Sequence, residues 1–194
     1  ELYRICEYAR KLIDGPEITI GRVIARPYVG DSADTFVRTA NRHDYGLVPT
    51  GPTAVDFLQQ AGFDTIAVGK TYDLLCGHGF DRSYHNQSNS DGMDHVDEVM
   101  SQDWCGLCFT NLVDFDSVYG HRRDPLGDGL ALEDFDRRLG RVMEAMHGDD
   151  LVLVTADHGN DTTYKGTDHT RELVPLLAWS PSMAAPGTDL GLRS

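Results

Sequence analysis

Apolar positions in this chain follow two rhythms. Over residues 1–13, Leu2, Ile5, Cys6, Ala9, Leu12 and Ile13 recur at helical spacing, and Gly15-Pro16 stops the predicted helix. Ile18 to Ile24 alternates as a strand, and a loop rich in Asp, Ser and Thr leads to Arg38–Tyr45. Two prolines and a glycine between Pro49 and Pro52 mark the clearest boundary.

Beyond it the rhythm changes. Thr53 caps a predicted helix running to Gln60, which Gly62 ends. Residues 64–70 form a short apolar strand, 71–92 a polar connection, and 93–101 a helix. Residues 106–113 are a second buried strand. Residues 133–146 are an amphipathic helix with Phe135, Leu139, Val142, Met143 and Met146 on one face. Residues 150–154 and 174–179 complete the set of strands. Apolar strands alternating with helices predict an α/β fold with a mostly parallel sheet covered on both faces. The first 48 residues lack this pattern and read as part of a smaller domain, with 49–194 as the α/β core.

Composition narrows the function. With 40% hydrophobic and 25% charged residues among 194, a packed core is expected. Lys+Arg 17 against Asp+Glu 31 gives a net charge of −14, which argues against nucleic acid or an anionic membrane as partner. Cations and small anions in a local basic pocket remain compatible with it. No apolar run reaches the length of a membrane-spanning helix, and a cytoplasmic protein is expected. Four cysteines are too few for a disulfide framework. Cys105 and Cys108 lie three apart on a predicted strand, so their side chains point to opposite faces and read as core residues. The chain opens at Glu1-Leu2-Tyr3 without Met and stops at Leu192-Arg193-Ser194, which reads as a fragment.

In open α/β sheets ligands sit beyond the carboxyl ends of the strands. Here those ends deliver Lys70; then Asp114, Asp116 and His121; then Asp157 and His158, followed by Asn160, Asp161 and the run Asp168-His169. Any one of these more often caps a helix or shapes a turn. Three such ends together are harder to assign to turns. His43, His78, His85, His95 and His147 lie outside the set. Mixed carboxylate and imidazole donors suit Mn²⁺, Zn²⁺ or Fe²⁺. At a turn, adjacent Asp157 and His158 can serve two ions side by side, which points to dinuclear phosphoryl or sulfuryl chemistry.

The residue runs carry a resemblance. Residues 21–27 and 38–45, Asn111-Leu112-Val113-Asp114-Phe115-Asp116 with Tyr119-Gly120-His121-Arg122-Arg123-Asp124-Pro125, Thr155-Ala156-Asp157-His158-Gly159-Asn160-Asp161 and Gly166-Thr167-Asp168-His169-Thr170-Arg171-Glu172 resemble the phosphopentomutase family of the alkaline phosphatase superfamily. The resemblance implies an alkaline-phosphatase-like core, with residues 1–48 as the second part of an inserted α+β cap. It implies that Asp116, His121 and His169 hold one Mn²⁺ and that Asp157 and His158 hold another. It also implies transfer of phosphate between the 1- and 5-positions of ribose or deoxyribose, through a phosphothreonine and a bisphosphate.

Under that resemblance, Arg22, Arg26, Arg38 and Arg42 become candidates for substrate phosphate, because guanidinium forks match phosphate oxygens. The alternative for some of them is pairing with Asp31, Asp34 or Asp44. Lys70 is the strongest single candidate. The nucleophilic threonine and a further aspartate ligand are expected upstream of Glu1, so the catalytic residue is not assigned to Thr155, Thr163, Thr167 or Thr170. The fragment alone is expected to be inactive and to leave apolar surface uncovered. The rival readings are another phosphatase or phosphosugar mutase of the superfamily, and a non-catalytic metal-binding fragment.

Overall fold

The computed structural model describes residues 1–15, 18–39, 41–183, 187–189 and 191, with the backbone alone at 14, 15, 18, 19 and 38. The chain divides into two compact units, Glu1–Ser83 with Cys105–Phe109 and Tyr84–Trp104 with Thr110–Ser194.

In the first unit, α1 (Leu2–Leu12) buries Cys6 and Arg10, and an Arg10 guanidinium nitrogen donates to the Ile20 carbonyl at 2.7 Å. Pro16, the expected helix stop, lies outside the described residues. The strand expected over 18–24 is divided. Strand β2 (Ile18–Thr19) pairs antiparallel with β1 (Asp14–Gly15), whereas β3 (Arg22–Ala25) pairs with β6 (His43–Gly46). The partner changes across Ile20-Gly21, which breaks the strand there. A second short hairpin joins β4 (Tyr28–Val29) to β5 (Val37–Arg38).

Helix α2 (Ala54–Gln60) begins where Thr53 predicts it. The Thr53 hydroxyl accepts from the Asp56 amide at 3.3 Å, and the Asp56 carboxylate accepts from the Thr53 amide at 2.7 Å, a capping box. It leads into β7 (Asp64–Val68) and α3 (Thr71–Leu74), and the sheet is completed by β8 (Arg82–Tyr84) and β9 (Gly106–Thr110) in the order β8-β7-β9. Ile66, Ala67 and Val68 are fully buried. Val55, Ala67 and Phe80 form the core, with Leu75 and Leu107 packed on it. Gly106 permits the close approach of β9 to β7: a Cβ there would lie 2.0 Å from the Asp64 carbonyl oxygen. Next to it Cys105 is exposed, unlike the core residue its pattern predicts, while Cys108 is half-buried, and neither is in a disulfide.

In the second unit, α4 (Asn89–Met100) starts earlier than its apolar spacing predicts, because Ser88 caps it by accepting from the Asp91 amide at 3.1 Å. Part of the expected polar connection is therefore helix. A π-helical turn, Phe115–Gly120, precedes α5 (Pro125–Ala145), which also begins before the expected Glu133. Asp124 caps α5 by accepting from the Gly127 amide at 2.9 Å, and Pro125 takes the first position. Arg138 stitches the two helices together, bonding Asp134 at 2.9 Å on its own helix and Asp94 at 2.7 Å on α4.

Strands β10 (Val152–Thr155) and β11 (Leu176–Trp179) pair antiparallel, Val152 opposite Trp179 and Thr155 opposite Leu176. The α/β class with a parallel sheet among helices is present as predicted. The expected cover on both faces is absent at β10 and β11, where Leu153, Leu176 and Leu177 are 60%, 66% and 60% exposed. Among the described residues no helix is long and apolar enough to cross a membrane.

Candidate metal centre

The π-helical turn after β9 carries Asp116, and π-turns are rare features that concentrate at functional sites. His121 follows directly as the C-terminal cap of the turn. Asp157 and His158 follow β10, and His169 stands next to an isolated bridge between Gly159 and Thr170 that returns the loop to the end of that strand. All five residues belong to the second unit.

Asp116, His158 and His169 each offer a ligand atom, all within 4.8 Å of one another. Asp116 Oδ1 lies 3.2 Å from His169 Nε2, and its other oxygen lies 3.4 Å from His121 Nε2. The His158 and His169 rings stack at 3.7 Å and the His121 and His169 rings at 4.9 Å. Asp157 is the outlier. Its carboxylate is largely exposed and 3.7 Å from His158 Nε2, outside the group of three.

Hydrogen bonds to the far side of the rings fix their chemistry. His121 Nδ1 meets the Thr167 carbonyl at 2.5 Å, and His158 Nδ1 meets the Gly159 carbonyl at 3.1 Å. A carbonyl only accepts, so Nδ1 is the donor there and Nε2 is the nitrogen not engaged by that bond. This is the arrangement of metal-binding histidines, whose second nitrogen is held by a carbonyl or carboxylate. The donor set of one carboxylate and borderline imidazoles fits a divalent transition ion.

Two residues that were given no role from the sequence support this group. Asn160 donates from Nδ2 to Asp116 Oδ1 at 2.7 Å. Gly120 makes room for it, since a Cβ there would lie 2.3 Å from that nitrogen. Arg123 donates to Asn160 Oδ1 at 2.6 Å. Both residues lie inside the motif runs quoted above, and that position was the available signal.

Other strand-end residues have local roles. Asp114 exchanges hydrogen bonds with Asn89 at the start of α4, at 2.7 and 2.8 Å. The Asp161 carboxylate takes the amide and hydroxyl of Thr163, and the hydroxyl bond holds it below the usual carboxylate range. The Thr170 hydroxyl accepts from the Asp161 amide and donates to Glu172. His95 packs at a tilt against Tyr84 beside Asp91 and Glu98.

The basic candidates belong to the first unit. Lys70 is exposed immediately after β7. Arg42 forks onto Asp44 at 2.7 and 2.6 Å, and Arg22 reaches the same carboxylate at 3.3 Å. The Arg42 hydrogen bond holds Asp44 below the usual carboxylate range, helped by the positive charges of Arg42, Arg22 and Arg26. Two arginines therefore take the local pairing that was the alternative to phosphate. Arg26 is exposed, and the Arg38 side chain lies outside the described residues.

Fold and donor set are those of an α/β core with a candidate metal-binding group, and the chain belongs to the Metalloenzyme superfamily, whose model matches residues 52–193. Its curated relatives carry a narrower name. The phosphopentomutase of Limosilactobacillus reuteri (strain DSM 20016) is 64% identical over 193 residues, covering 100% of this chain and 49% of the relative. That of Levilactobacillus brevis is 64% identical over 194 residues, again covering 100% and 49%. That of Agathobacter rectalis is 53% identical over 186 residues, covering 96% and 47%. The chain thus spans about half the length of the curated relatives it matches. Among solved structures, the PH0037 protein from Pyrococcus horikoshii shares the fold, with a TM-score of 0.55 at 15% identity over 92% of this chain and 51% of that one.

Proposed function

We propose that this chain is the metal-binding part of a phosphopentomutase, which exchanges phosphate between the 1- and 5-positions of ribose or deoxyribose in the cytoplasm. The observation that carries the reading is the convergence of Asp116, His158 and His169, with His121 on the second Asp116 oxygen, in a chain 64% identical to named phosphopentomutases. Asp116, His121 and His169 hold one ion. Asp157 and His158 hold the other, together with an aspartate from the part of the relatives that this chain does not span. That part also supplies the nucleophilic threonine, which passes through a phosphorylated state and a ribose bisphosphate. When bound, two Mn²⁺ ions would neutralise phosphate oxygens and lower the pKa of the attacking hydroxyl.

The chain's own residues bind and orient. Carbonyl contacts at Nδ1 orient the His121 and His158 rings, and His121 Nε2 faces Asp116 at 3.4 Å. Lys70, Arg22, Arg26, Arg38 and Arg42 receive the phosphosugar, and Asp44 keeps Arg22 and Arg42 preset between substrate visits. Residues 1–48 form the later part of the cap and 49–194 the later part of the core.

The test is a full-length protein containing this chain, incubated with ribose 5-phosphate and Mn²⁺. Ribose 1-phosphate is the expected product. Release of free phosphate alone would identify a phosphatase and sink the mutase reading. In the same protein, Asp116→Ala and His169→Ala should lower bound metal by elemental analysis, whereas His95→Ala should not. Equal metal in all three refutes the ligand assignment.

A further inference from the structure

Arg123 has a backbone that its residue type rarely adopts. Its φ is +55°, in the left-handed region that disfavours a side chain with a Cβ. Such a conformation persists where surrounding interactions over-determine it. Here those interactions come from the side chain. The guanidinium is half-buried and donates to the carbonyls of Asp161 at 2.7 Å, Gly166 at 2.5 Å and Asp168 at 2.5 Å, and to Asn160 Oδ1 at 2.6 Å. One side chain thereby ties both ends of the 160–168 loop to the end of the π-helical turn. His169 follows the last of the carbonyls it holds.

The fourth bond reaches Asp116. A guanidinium only donates and an ionised carboxylate only accepts, so the Asn160 amide between them has one chemically sensible orientation. Its Oδ1 faces Arg123 and its Nδ2 donates to Asp116 Oδ1 at 2.7 Å. That oxygen is also the one 3.2 Å from His169 Nε2. Arg123 therefore reaches the candidate metal group by two routes, through the loop to His169 and through Asn160 to Asp116.

We propose that Arg123 is a positioning residue for the metal centre, holding His169 and Asp116 in register by its fork on the 160–168 loop and by the Asn160 relay. This rests on the metal reading above. The fork is essential, because a lysine carries the charge but cannot span four acceptors in one plane. Charge alone would have the opposite effect, since a cation beside a divalent ion repels it.

The experiment uses a full-length protein containing this chain and reads Mn²⁺ affinity by titration of the free-ion EPR signal. Amide hydrogen exchange over 160–170 is read separately in the metal-free protein. Arg123→Ala and Arg123→Lys should each weaken Mn²⁺ binding by about 10–100-fold, the range typical of residues that orient ligands. Both should speed exchange in the loop. Arg122→Ala removes a neighbouring exposed charge and should change neither readout. Asn160→Leu should weaken Mn²⁺ binding with little change in loop exchange, since three carbonyl bonds from Arg123 remain.

Wild-type affinity in Arg123→Lys, or equal losses in Arg122→Ala and Arg123→Ala, overturns the proposal. Faster exchange in the Arg123 variants with unaltered Mn²⁺ affinity would reduce the residue to a loop staple, also against it. Absence of Mn²⁺ binding by the unsubstituted full-length protein would instead remove the metal reading, and this proposal with it.

Discussion

Strands β7 and β10 are both short apolar runs that end in polar residues, yet their surroundings differ. In β7, Thr65, Ile66, Ala67 and Val68 are all buried, and Val55 of α2 and Leu107 of β9 belong to the same apolar cluster. In β10 exposure alternates along the strand, and its partner β11 is exposed over most of its length. An apolar run therefore reports the capacity to be buried, and its realised stabilisation depends on what packs against it. The first unit draws its stability from a covered sheet. The second is organised differently, with α4 and α5 stitched by Arg138 and the candidate metal centre tied together by hydrogen bonds.

The contrast can be broken most directly by truncating side chains. Ile66→Ala should destabilise the first unit by about 2–5 kcal/mol in urea unfolding, because its cavity is fully enclosed. Leu153→Ala should change stability by only about 0.5 kcal/mol, as for other exposed positions. Equal losses would show that β10 is as well covered as β7.

A smaller effect sharpens the account of how β7 is covered. Thr53→Ala removes the capping box of α2, the helix packed on that strand, and should cost about 1 kcal/mol by the same measurement. No loss would mean that packing alone holds α2 in place.

The smallest expected effect is on acid sensitivity. Asp81 accepts from Gln59 at 2.7 Å and from the amide and hydroxyl of Thr65 at 3.2 and 2.9 Å, fastening α2 to β7. These bonds, Gln59 first and Thr65 next, hold its carboxyl below the ordinary 3.8. A depressed folded-state pKa contributes stability that is present above the unfolded value and lost as pH falls through the folded one. The urea midpoint should therefore fall between about pH 5 and pH 3, and Asp81→Asn should flatten that fall. An identical pH slope in the variant would remove Asp81 from the account.

Much of the fold was legible in local signals. Helix α2 was bounded at both ends by Thr53 and Gly62, and β7 stood out as a run of apolar residues between turn signals. The early starts of α4 and α5 were hidden because Ser88 and Asp124 cap stretches rich in polar residues and glycine, where apolar periodicity is weak. The strand expected over 18–24 failed for a different reason. Its division depends on β1 and β6 competing for it, which no window of residues reveals. At the candidate site, Asp116, His121, His158 and His169, which the fold brings together, stood out as strand-end donors, whereas Asp157, read with them, lies outside the group of three. The supporting roles of Arg123 and Asn160 were not legible, because guanidinium and amide groups carry no sign of their partners until the loop closes.

What the sequence determined by itself was the main helices and apolar strands, the α/β class, the donors at the strand ends and the scarcity of positive charge. These follow from short-range rules of spacing, capping and side-chain chemistry. Only the tertiary structure decided which apolar strands were covered, which arginines met Asp44, and which imidazoles faced Asp116. Those outcomes depend on residues far apart in the chain arriving within hydrogen-bond distance, as Arg123 and Asp168 do.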